Sequence, residues 1–231
     1  MSTYCIGDIH GCSATLSNLL ESKIKLNKRD RIVFLGDYID RGPDSKGVLE
    51  IIMDLYAKNY DVTCLLGNHE ELFMESEHDD DIFVHWFKNC GGFETLKSFN
   101  AKSYQELSEV HQYFFKTLLH YKIIDKRQIF VHAGLNFKNE NIFEDKYSML
   151  WTRDTIVDHD KIGERILIHG HTPQTITATI SQLERIKEDK IINLDTGCVF
   201  RGYDGMGYLT AFNIENEILC VQECVDRIDV S

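Results

Sequence analysis

Five short polar motifs in this sequence carry residue types that bind metal ions and transfer protons. They combine aspartate, histidine and asparagine with glycine, and each follows a short apolar run. Carboxylate and amide oxygens together with imidazole nitrogens suit Mn, Fe or Zn, whereas a soft thiolate site is not indicated, because the motifs contain no cysteine. The motifs are Gly7-Asp8-Ile9-His10-Gly11, Gly36-Asp37-Tyr38-Ile39-Asp40-Arg41-Gly42, Gly67-Asn68-His69-Glu70, His132-Ala133-Gly134 and Gly170-His171-Thr172-Pro173.

The second motif contains the most charged residues of the five. It places Asp37, Asp40 and Arg41 within five positions, directly after the apolar run Arg31-Ile32-Val33-Phe34-Leu35. Burying two carboxylates and a guanidinium together costs free energy unless a ligand or counter-charge compensates them. The motif therefore indicates a binding site.

The surrounding elements predict how the motifs are positioned. Predicted strands at 4–6, 31–35 and 61–66 alternate with helical patterns at 14–20, with Ser13 as its cap, and at 48–56. This rhythm is typical of βαβ units with a parallel sheet. Because ligands bind at the carboxyl ends of parallel strands, we expect the five motifs to converge there. Further strands are predicted at 128–131, 165–168, 191–194, 208–214 and 217–221.

The middle of the chain has helical rather than strand-like patterning. Its aromatic residues, Trp86 among them, recur at helical spacing, which favours packing roles. Residues 103–106 have the form of a capping box, and Leu107, Val110, Phe114 and Leu118 follow on one predicted helix face. We therefore predict an α/β fold with a helical insertion at about residues 72–122 and a second set of strands.

Bulk composition limits the kinds of partner. A chain of 231 residues with 43% hydrophobic content is long enough for one packed domain. Its net charge of −12 argues against binding to a phosphate backbone, so we expect no nucleic-acid partner. For the same reason, an anionic substrate would need a local positive centre in the protein. The sequence shows no signal peptide and no 18-residue apolar run, so no membrane partner is expected. Seven scattered cysteines then favour reduced thiols in the cytoplasm.

In their order and spelling, the five motifs resemble those of the metal-dependent phosphoprotein phosphatases, within the calcineurin-like metallophosphoesterases. The short bacterial and lambda phage members are the most similar in length and style. The resemblance spans residues 7–173, and the combination of GDYIDRG with GNHE is highly specific. It implies an α/β fold with a central mixed β-sandwich flanked by helices, formed by a single domain over residues 1–231.

The resemblance also implies a ligand set for two divalent metal ions, with Mn expected and Fe or Zn as alternatives. Asp37 would bridge the two ions, and a hydroxide held between them would attack phosphorus in line. Glu70 and His169 are not expected to be ligands. The implied ligands are Asp8, His10 and Asp37 for one ion, and Asp37, Asn68, His132 and His171 for the other.

Four further residues receive catalytic roles from the resemblance. Arg41 and Arg153, the latter in Leu150-Trp151-Thr152-Arg153, would bind phosphate oxygens as planar forks. His69, oriented by Asp40, would protonate the leaving group.

The implied activity is a phosphomonoesterase, expected to be a serine/threonine phosphoprotein phosphatase that also accepts phosphotyrosine. Its partner would be a phosphorylated protein or a small phosphoester, and the protein is expected to be a monomer. A second interpretation is a dinucleoside polyphosphate hydrolase acting on diadenosine tetraphosphate. Such enzymes tend to replace the aspartate of Asp-Arg-Gly, so Asp40 favours the monoesterase. A third, a regulatory metal-binding domain without activity, is disfavoured by the intact ligand set.

Overall fold

Two mixed β-sheets form the centre of the protein in a computed structural model, which describes residues 1–228. Each strand contains β-branched or aromatic residues of the kind that favour a pleated, half-buried surface. In chain order the strands are β1 (Thr3–Ile6), β2 (Arg31–Phe34), β3 (Asp61–Cys64), β4 (Tyr121–Ile124), β5 (Gln128–Val131), β6 (Ile166–His169), β7 (Ile191–Asn193), β8 (Tyr208–Asn213) and β9 (Ile218–Glu223).

Both sheets contain a parallel half and an antiparallel edge. The first sheet has the order β3-β2-β1-β8-β9. In it β1, β2 and β3 are parallel, and β8 pairs antiparallel with both β1 and β9. The second has the order β4-β5-β6-β7, in which β5, β6 and β7 are parallel and β4 is antiparallel. The predicted mixed β-sandwich is confirmed, and each sheet contributes three parallel strands whose carboxyl ends can carry a site.

Side chains that alternate between the two faces of each strand form three apolar layers. Val33 of β2 and Ile168 of β6 belong to one buried cluster, which fills the space between the sheets. The flanking Phe34 points to the opposite face and packs in the cluster under the first helices. Leu167, next to Ile168, packs outward on the second sheet. Since side chains alternate between faces, the two sheets share an inner core and each is covered by helices outside.

The helices of the described residues all lie in connections between strands. A π-helical turn, Leu19–Ile24, extends the first of them, and a 3₁₀ turn occupies Tyr104–Glu106. Within residues 1–228 none of the helices has the length and apolar character needed to cross a membrane. The α-helices are α1 (Ser13–Asn18), α2 (Ser45–Ala57), α3 (Asn68–Glu75), α4 (Asp80–Asn89), α5 (Gly92–Phe99), α6 (Glu109–Lys116), α7 (Lys146–Trp151), α8 (His159–Ile162), α9 (Ile176–Glu184) and α10 (Ile186–Asp189).

Local details differ from the sequence-based expectations. Ser13 is the first residue of α1 rather than its cap, because the Asp226 carboxylate accepts from the backbone N–H groups of Ala14 and Thr15 at 3.2 and 2.9 Å. The Ser13 hydroxyl instead donates to Asp44 at 2.6 Å. A carboxylate more than 200 residues away thus satisfies the helix start, which no local pattern reveals.

The consecutive helices after β3 span residues 68–116, and Tyr121 and Lys122 already belong to β4. Residues 104–106 form a 3₁₀ turn without a side-chain cap instead of starting a long helix. The turn shifts the phase of α6, so that Phe114 is buried while Val110 is 65% exposed. The predicted apolar face is therefore wrong at Val110.

Replacing Phe114 and Val110 separately by alanine tests this phase. Phe114 is 5% exposed and its ring packs edge-on against Tyr38, with the centroids 5.7 Å apart. We expect Phe114→Ala to lower the free energy of unfolding by about 3–5 kcal/mol, the cost of a large aromatic cavity. We expect Val110→Ala, on the same helix, to change it by less than about 0.5 kcal/mol. Urea denaturation measures both, and equal losses would contradict the observed orientation of α6.

Candidate metal centre

The parallel strands of both sheets deliver the five motifs to one place. Asp8 follows β1, Asp37 follows β2 and Asn68 follows β3 in the first sheet; His132 follows β5 and His171 follows β6 in the second. All five are buried, as is His10. The two sheets are joined here by a hydrogen bond from His132 Nδ1 to the Leu35 carbonyl oxygen, 3.0 Å long. Convergence at the strand ends is therefore confirmed across two sheets.

Asp37 lies between two groups of potential ligands. Its Oδ2 is 3.5 Å from His10 Nε2, and its Oδ1 is 3.4 Å from His132 Nε2. On the His132 side, Asn68 Oδ1 lies 3.0 Å from His132 Nε2 and 2.9 Å from His171 Nδ1. Each carboxylate oxygen of Asp37 thus faces a different group, as a ligand shared by two ions requires.

Asp8 lies beside the same groups but is held differently. Both of its oxygens accept from the backbone N–H of His171, at 3.2 and 3.0 Å. A Cβ added at Gly170 would overlap Asp8 Oδ1, so only glycine leaves room for this carboxylate. Gly67 has the same role toward Asp37 Oδ1. Two motif glycines thus make space for ligand oxygens.

The potential ligand atoms fit a cation, because several atoms with free lone pairs face one another with no hydrogen between them. His132 Nδ1 donates to a carbonyl oxygen, which leaves Nε2 with a lone pair. That lone pair faces Asn68 Oδ1 and Asp37 Oδ1, which are acceptors as well. His171 Nε2 is buried without a hydrogen-bond partner among the described residues. Such an arrangement is unfavourable without a positive charge at its centre.

The imidazoles are held in the neutral form that ligates metals. Burial lowers the pKa of His132, and burial, followed by the charge of Arg41, lowers the pKa of His10 well below its ordinary value. Burial and the proximity of His132 lower the pKa of His171 to about 3. His10 Nδ1 donates to the Ile39 carbonyl oxygen at 2.8 Å, which directs the Nε2 lone pair toward Asp37.

The two carboxylates respond to this environment in opposite ways. Burial, then Asp195 and Asp37, raise the pKa of Asp8 well above its usual range. Burial also acts to raise the pKa of Asp37, but the attraction of the surrounding imidazoles in their protonated forms, His132 first, outweighs it and holds that pKa well below its usual range. A divalent cation next to Asp8 would favour its charged form, so metal binding and deprotonation are coupled.

Asp40 and His69 form a buried pair next to Asp37. His69 Nδ1 donates to Asp40 Oδ2 at 2.6 Å, and Trp86 Nε1 donates to the same oxygen at 2.7 Å. The Thr95 hydroxyl donates to Asp40 Oδ1 at 2.6 Å. Trp86 lies in α4 and Thr95 in α5, so the helices after β3 fix this carboxylate. Sequence reasoning gave Trp86 a packing role only; it packs on Phe73 and also orients Asp40.

Arg41 occupies the centre of the site, and Arg153 lies at its rim. The Arg41 guanidinium donates to His10 Nε2 at 2.6 Å and to His69 Nε2 at 2.9 Å. Its backbone N–H donates to the Gly91 carbonyl oxygen, and a side chain at Gly91 would overlap it. Arg153 is exposed but lies close enough to lower the pKa of His171.

Arg41 and Arg153 line a small cavity of about 150 Å³ over the ligand groups. Two larger cavities, of about 700 Å³ each, contain none of the predicted ligands. Size alone therefore does not locate the chemistry, and the small cavity matches a phosphate-sized group better. Its lining residues are Asp37, Arg41, Asn68, His69, Arg153, His171, Pro173 and Phe200.

Glu70 shapes the loop that carries Asp37. Its carboxylate accepts from the backbone N–H groups of Asp37, Tyr38 and Ile39 at 2.9, 2.8 and 3.3 Å. It also accepts from Gly67 N–H at 3.1 Å, which completes a capping box at the start of α3. The structure thus assigns Glu70 to backbone hydrogen bonds, in agreement with the sequence-based expectation.

Sequence reasoning missed Asp195. This residue follows β7, is 2% exposed, and its Oδ2 has no hydrogen-bond partner among the described residues. Burial raises the pKa of Asp195 to about 7. It adds a third carboxylate near Asp8 and Asp37 and is the sixth polar group at a parallel strand end. The signal was present, since Asp195 and Gly197 follow a predicted strand as the other motifs do.

Comparison with known proteins agrees with this geometry. A family model described as calcineurin-like phosphoesterase matches residues 1–202. The chain therefore belongs to the calcineurin-like phosphoesterases, a family of metal-binding hydrolases that use two divalent ions. The buried aspartate and histidine cluster fits that requirement.

Two curated relatives differ in the substrate that their names state. Serine/threonine-protein phosphatase 1 of Salmonella typhimurium is 25% identical, and the match covers 86% of this chain and 88% of that protein. The symmetrical bis(5'-nucleosyl)-tetraphosphatase of Paracidovorax citrulli is 40% identical, and the match covers 89% of this chain and 69% of that protein.

Solved structures support the fold. A protein serine/threonine phosphatase from Saccharomyces cerevisiae superposes with a TM-score of 0.67 at 16% identity, over 100% of this chain and 82% of that one. At this level of identity the likeness supports the predicted α/β sandwich, which is confirmed.

Glu70→Gln tests the role of Glu70 in shaping the site. The substitution turns an acceptor-only group into one with a donor facing four N–H groups, so we expect the free energy of unfolding to fall by about 1–3 kcal/mol. Glu75→Gln, exposed on the same helix, is the matched control and should change it by less than about 0.5 kcal/mol. Equal values for the two variants in urea denaturation would argue against this role.

Proposed function

We propose that the protein is a binuclear-metal phosphomonoesterase that hydrolyses phosphorylated serine and threonine side chains of proteins, and phosphotyrosine as a further substrate. The observation that carries the proposal is the buried Asp40–His69 pair beside the two ligand groups. A serine or threonine alkoxide leaves poorly without a proton, whereas a nucleotide phosphate leaves readily without one. A site that builds a protonating pair favours the alkyl ester.

We assign the metal ligands as the sequence predicts. Asp8, His10 and Asp37 would hold one divalent ion, with Asp37 shared with the second. Bound ions supply positive charge and activate water for in-line attack on phosphorus. Their four positive charges would exceed the two negative charges of Asp8 and Asp37. The site would therefore attract an anionic substrate locally, although the chain as a whole carries a net charge of −12. The second ion would be held by Asp37, Asn68, His132 and His171, and Mn is proposed ahead of Fe and Zn.

His69 would protonate the leaving group while Asp40 stabilises its charged form. In the structure, His69 Nε2 accepts from Arg41, so the guanidinium has to leave this nitrogen before His69 can act on substrate. His10 Nε2 has the same constraint, because one lone pair cannot bind both a metal and Arg41. If His10 Nε2 held a metal ion, its contact with Arg41 would be lost, and Arg41 together with Arg153 would be available to bind phosphate oxygens as planar forks.

We further propose that residues 1–231 act as a single catalytic domain, as a monomer, in the cytoplasm. Support for a reducing compartment comes from the cysteines, all seven of which are free thiols in the described part of the chain.

Hydrolysis of dinucleoside polyphosphates, diadenosine tetraphosphate first, is the second candidate. It is favoured by the 40% identical relative and by a partly exposed aromatic pair next to the site. Tyr147 and Trp151 of α7 stack with centroids 6.3 Å apart, and Trp151 lies 6.5 Å from the His171 ring. A base can stack on such a pair. Against it, Glu71 and Glu75 line the same hollow and would repel a polyphosphate.

A side-by-side rate comparison tests the proposal. Metal-depleted protein is reloaded with Mn²⁺ and assayed on a phosphoserine peptide, p-nitrophenyl phosphate and diadenosine tetraphosphate. We expect metal-dependent hydrolysis and a kcat/KM for the phosphopeptide at least about tenfold above that for the dinucleotide, or about 1.4 kcal/mol. Asp37→Asn serves as the inactive control. The reverse order would favour the second candidate, and no hydrolysis of any substrate would overturn both.

His69→Ala tests the assignment of the acid. General acid catalysis contributes about 10²–10⁴-fold, so we expect a loss of that size on the phosphoserine peptide. On p-nitrophenyl phosphate, whose leaving group is stable without a proton, we expect a loss below about tenfold. His85→Ala, an exposed histidine of α4, is the control and should behave as the unmodified protein. Equal losses on the two substrates would count against His69 as the acid.

A further inference from the structure

Three buried cysteines lie close together outside the candidate metal centre. Cys12 follows the first motif, Cys198 follows β7 by five residues, and Cys224 directly follows β9. Their exposures are 0%, 1% and 1%, and their sulfur atoms all lie within 4.8 Å of one another. Chain segments about 26 to 212 residues apart thus place three thiols at one point. We call this group the thiol cluster.

The spacing of the sulfur atoms matches a metal thiolate site better than a disulfide. Cys12 Sγ and Cys224 Sγ are 3.9 Å apart. Thiolates bound to one zinc ion at about 2.3 Å in tetrahedral geometry lie about 3.8 Å from each other. A disulfide needs about 2.05 Å and joins only two sulfurs, so it would leave the third without a partner. One pair of the cluster therefore already has the separation that a shared ion imposes, and all three sulfur atoms lie within 4.8 Å of one another.

We propose that Cys12, Cys198 and Cys224 bind one thiophilic d¹⁰ metal ion, Zn²⁺ or Cu⁺, at a site separate from the candidate metal centre. Soft thiolates select these ions, whereas the imidazole and oxygen ligands of the centre do not discriminate in their favour. Each metal–sulfur bond forms as the thiol releases its proton to solvent, so binding of one ion releases up to three protons and involves no change in oxidation state.

The surroundings of Cys224 support the proposal. The Cys224 side chain is 1% exposed, and its Sγ lies within 4.8 Å of the sulfur atoms of both Cys12 and Cys198. Its Sγ also contacts the carbonyl oxygen of Asp226 at 4.0 Å. The nearby Thr15 hydroxyl is engaged, since it donates to Asp226 at 2.5 Å and accepts from Val225 N–H at 3.0 Å. The chain thus supplies three ligands.

An ion in the thiol cluster would link loops of the catalytic site. Cys12 lies two residues after His10, and Cys198 lies three residues after Asp195. A metal bound to both would fix these loops to the end of β9. Its binding does not depend on the proposed phosphomonoesterase activity.

Cobalt absorption distinguishes the two kinds of site. Co²⁺ bound to thiolates gives a sulfur-to-metal charge-transfer band, which nitrogen and oxygen ligands do not give. We use protein kept under reducing, oxygen-free conditions, with seven free thiols verified by thiol titration in denaturant. We expect the band to reach the intensity of one thiolate-bound ion per chain, whatever cobalt the candidate metal centre also takes up, and to vanish when Zn²⁺ or Cu⁺ displaces the cobalt. Whichever ion displaces it at the lower concentration identifies the preferred metal.

Substitutions assign the band to residues. Cys224→Ser should abolish it, and Cys198→Ser provides a second variant if the first does not fold. Cys220→Ser, on the same strand but outside the thiol cluster, should retain it, as should Asp37→Asn, which removes the bridging ligand of the candidate metal centre. A band that is absent from the unmodified protein, or that survives in a folded Cys224→Ser or Cys198→Ser variant, would overturn the proposal. So would one disulfide per chain that forms in place of metal binding.

Discussion

The Asp37 carboxylate, buried between two groups of ligand atoms, is the constraint on which the site depends. Its carbonyl oxygen accepts from the N–H groups of Ile9 and His10 at 3.0 and 2.9 Å, which ties the first motif to the second. Its N–H donates to Glu70, and its Oδ1 accepts from His69 N–H at 3.2 Å. Every backbone segment of the first sheet that carries a ligand is thus hydrogen-bonded to this residue or to its immediate neighbours.

This arrangement requires strained backbone. His10, Asp37, Asp40, Arg41 and His171 all have positive φ angles, between 47° and 72°. Such conformations cost free energy for residues with a side chain and persist only where surrounding contacts fix them. The contacts come from outside the loops: Glu70 binds residues 37–39, and the helices after β3 bind Asp40 and Arg41. The helical segment is therefore structural support for the Asp40–His69 pair and for Arg41.

The sequence predicted the strand ends, and the polar residues that lie there, well because both depend on local patterns. Short apolar runs followed by glycine and a polar residue mark the end of a buried strand, and parallel strands bring such ends together. Asp195 obeyed the same rule but lay outside the motifs of the resemblance. β4 was missed because Tyr121–Ile124 closely follows an amphipathic helix and its first two residues lie inside the predicted insertion.

Interactions between distant segments could not be read from the sequence. The start of α1 depends on Asp226, the orientation of Asp40 depends on Trp86, and the phase of α6 depends on a 3₁₀ turn. The thiol cluster belongs to the same class, because its cysteines are scattered along the chain and only the packing of three loops unites them. Propensity and spacing carry no information on such contacts, whose energies come from tertiary packing.

The indole of Trp86 has a consequence for spectroscopy. The chain contains two tryptophans, Trp86 and Trp151. One donates to the Asp40 carboxylate, and the ring of the other faces His171 at 6.5 Å. Both intrinsic chromophores therefore lie next to side chains of the candidate metal centre, so emission from the unlabelled protein is sensitive to ligand binding there without dilution by remote indoles.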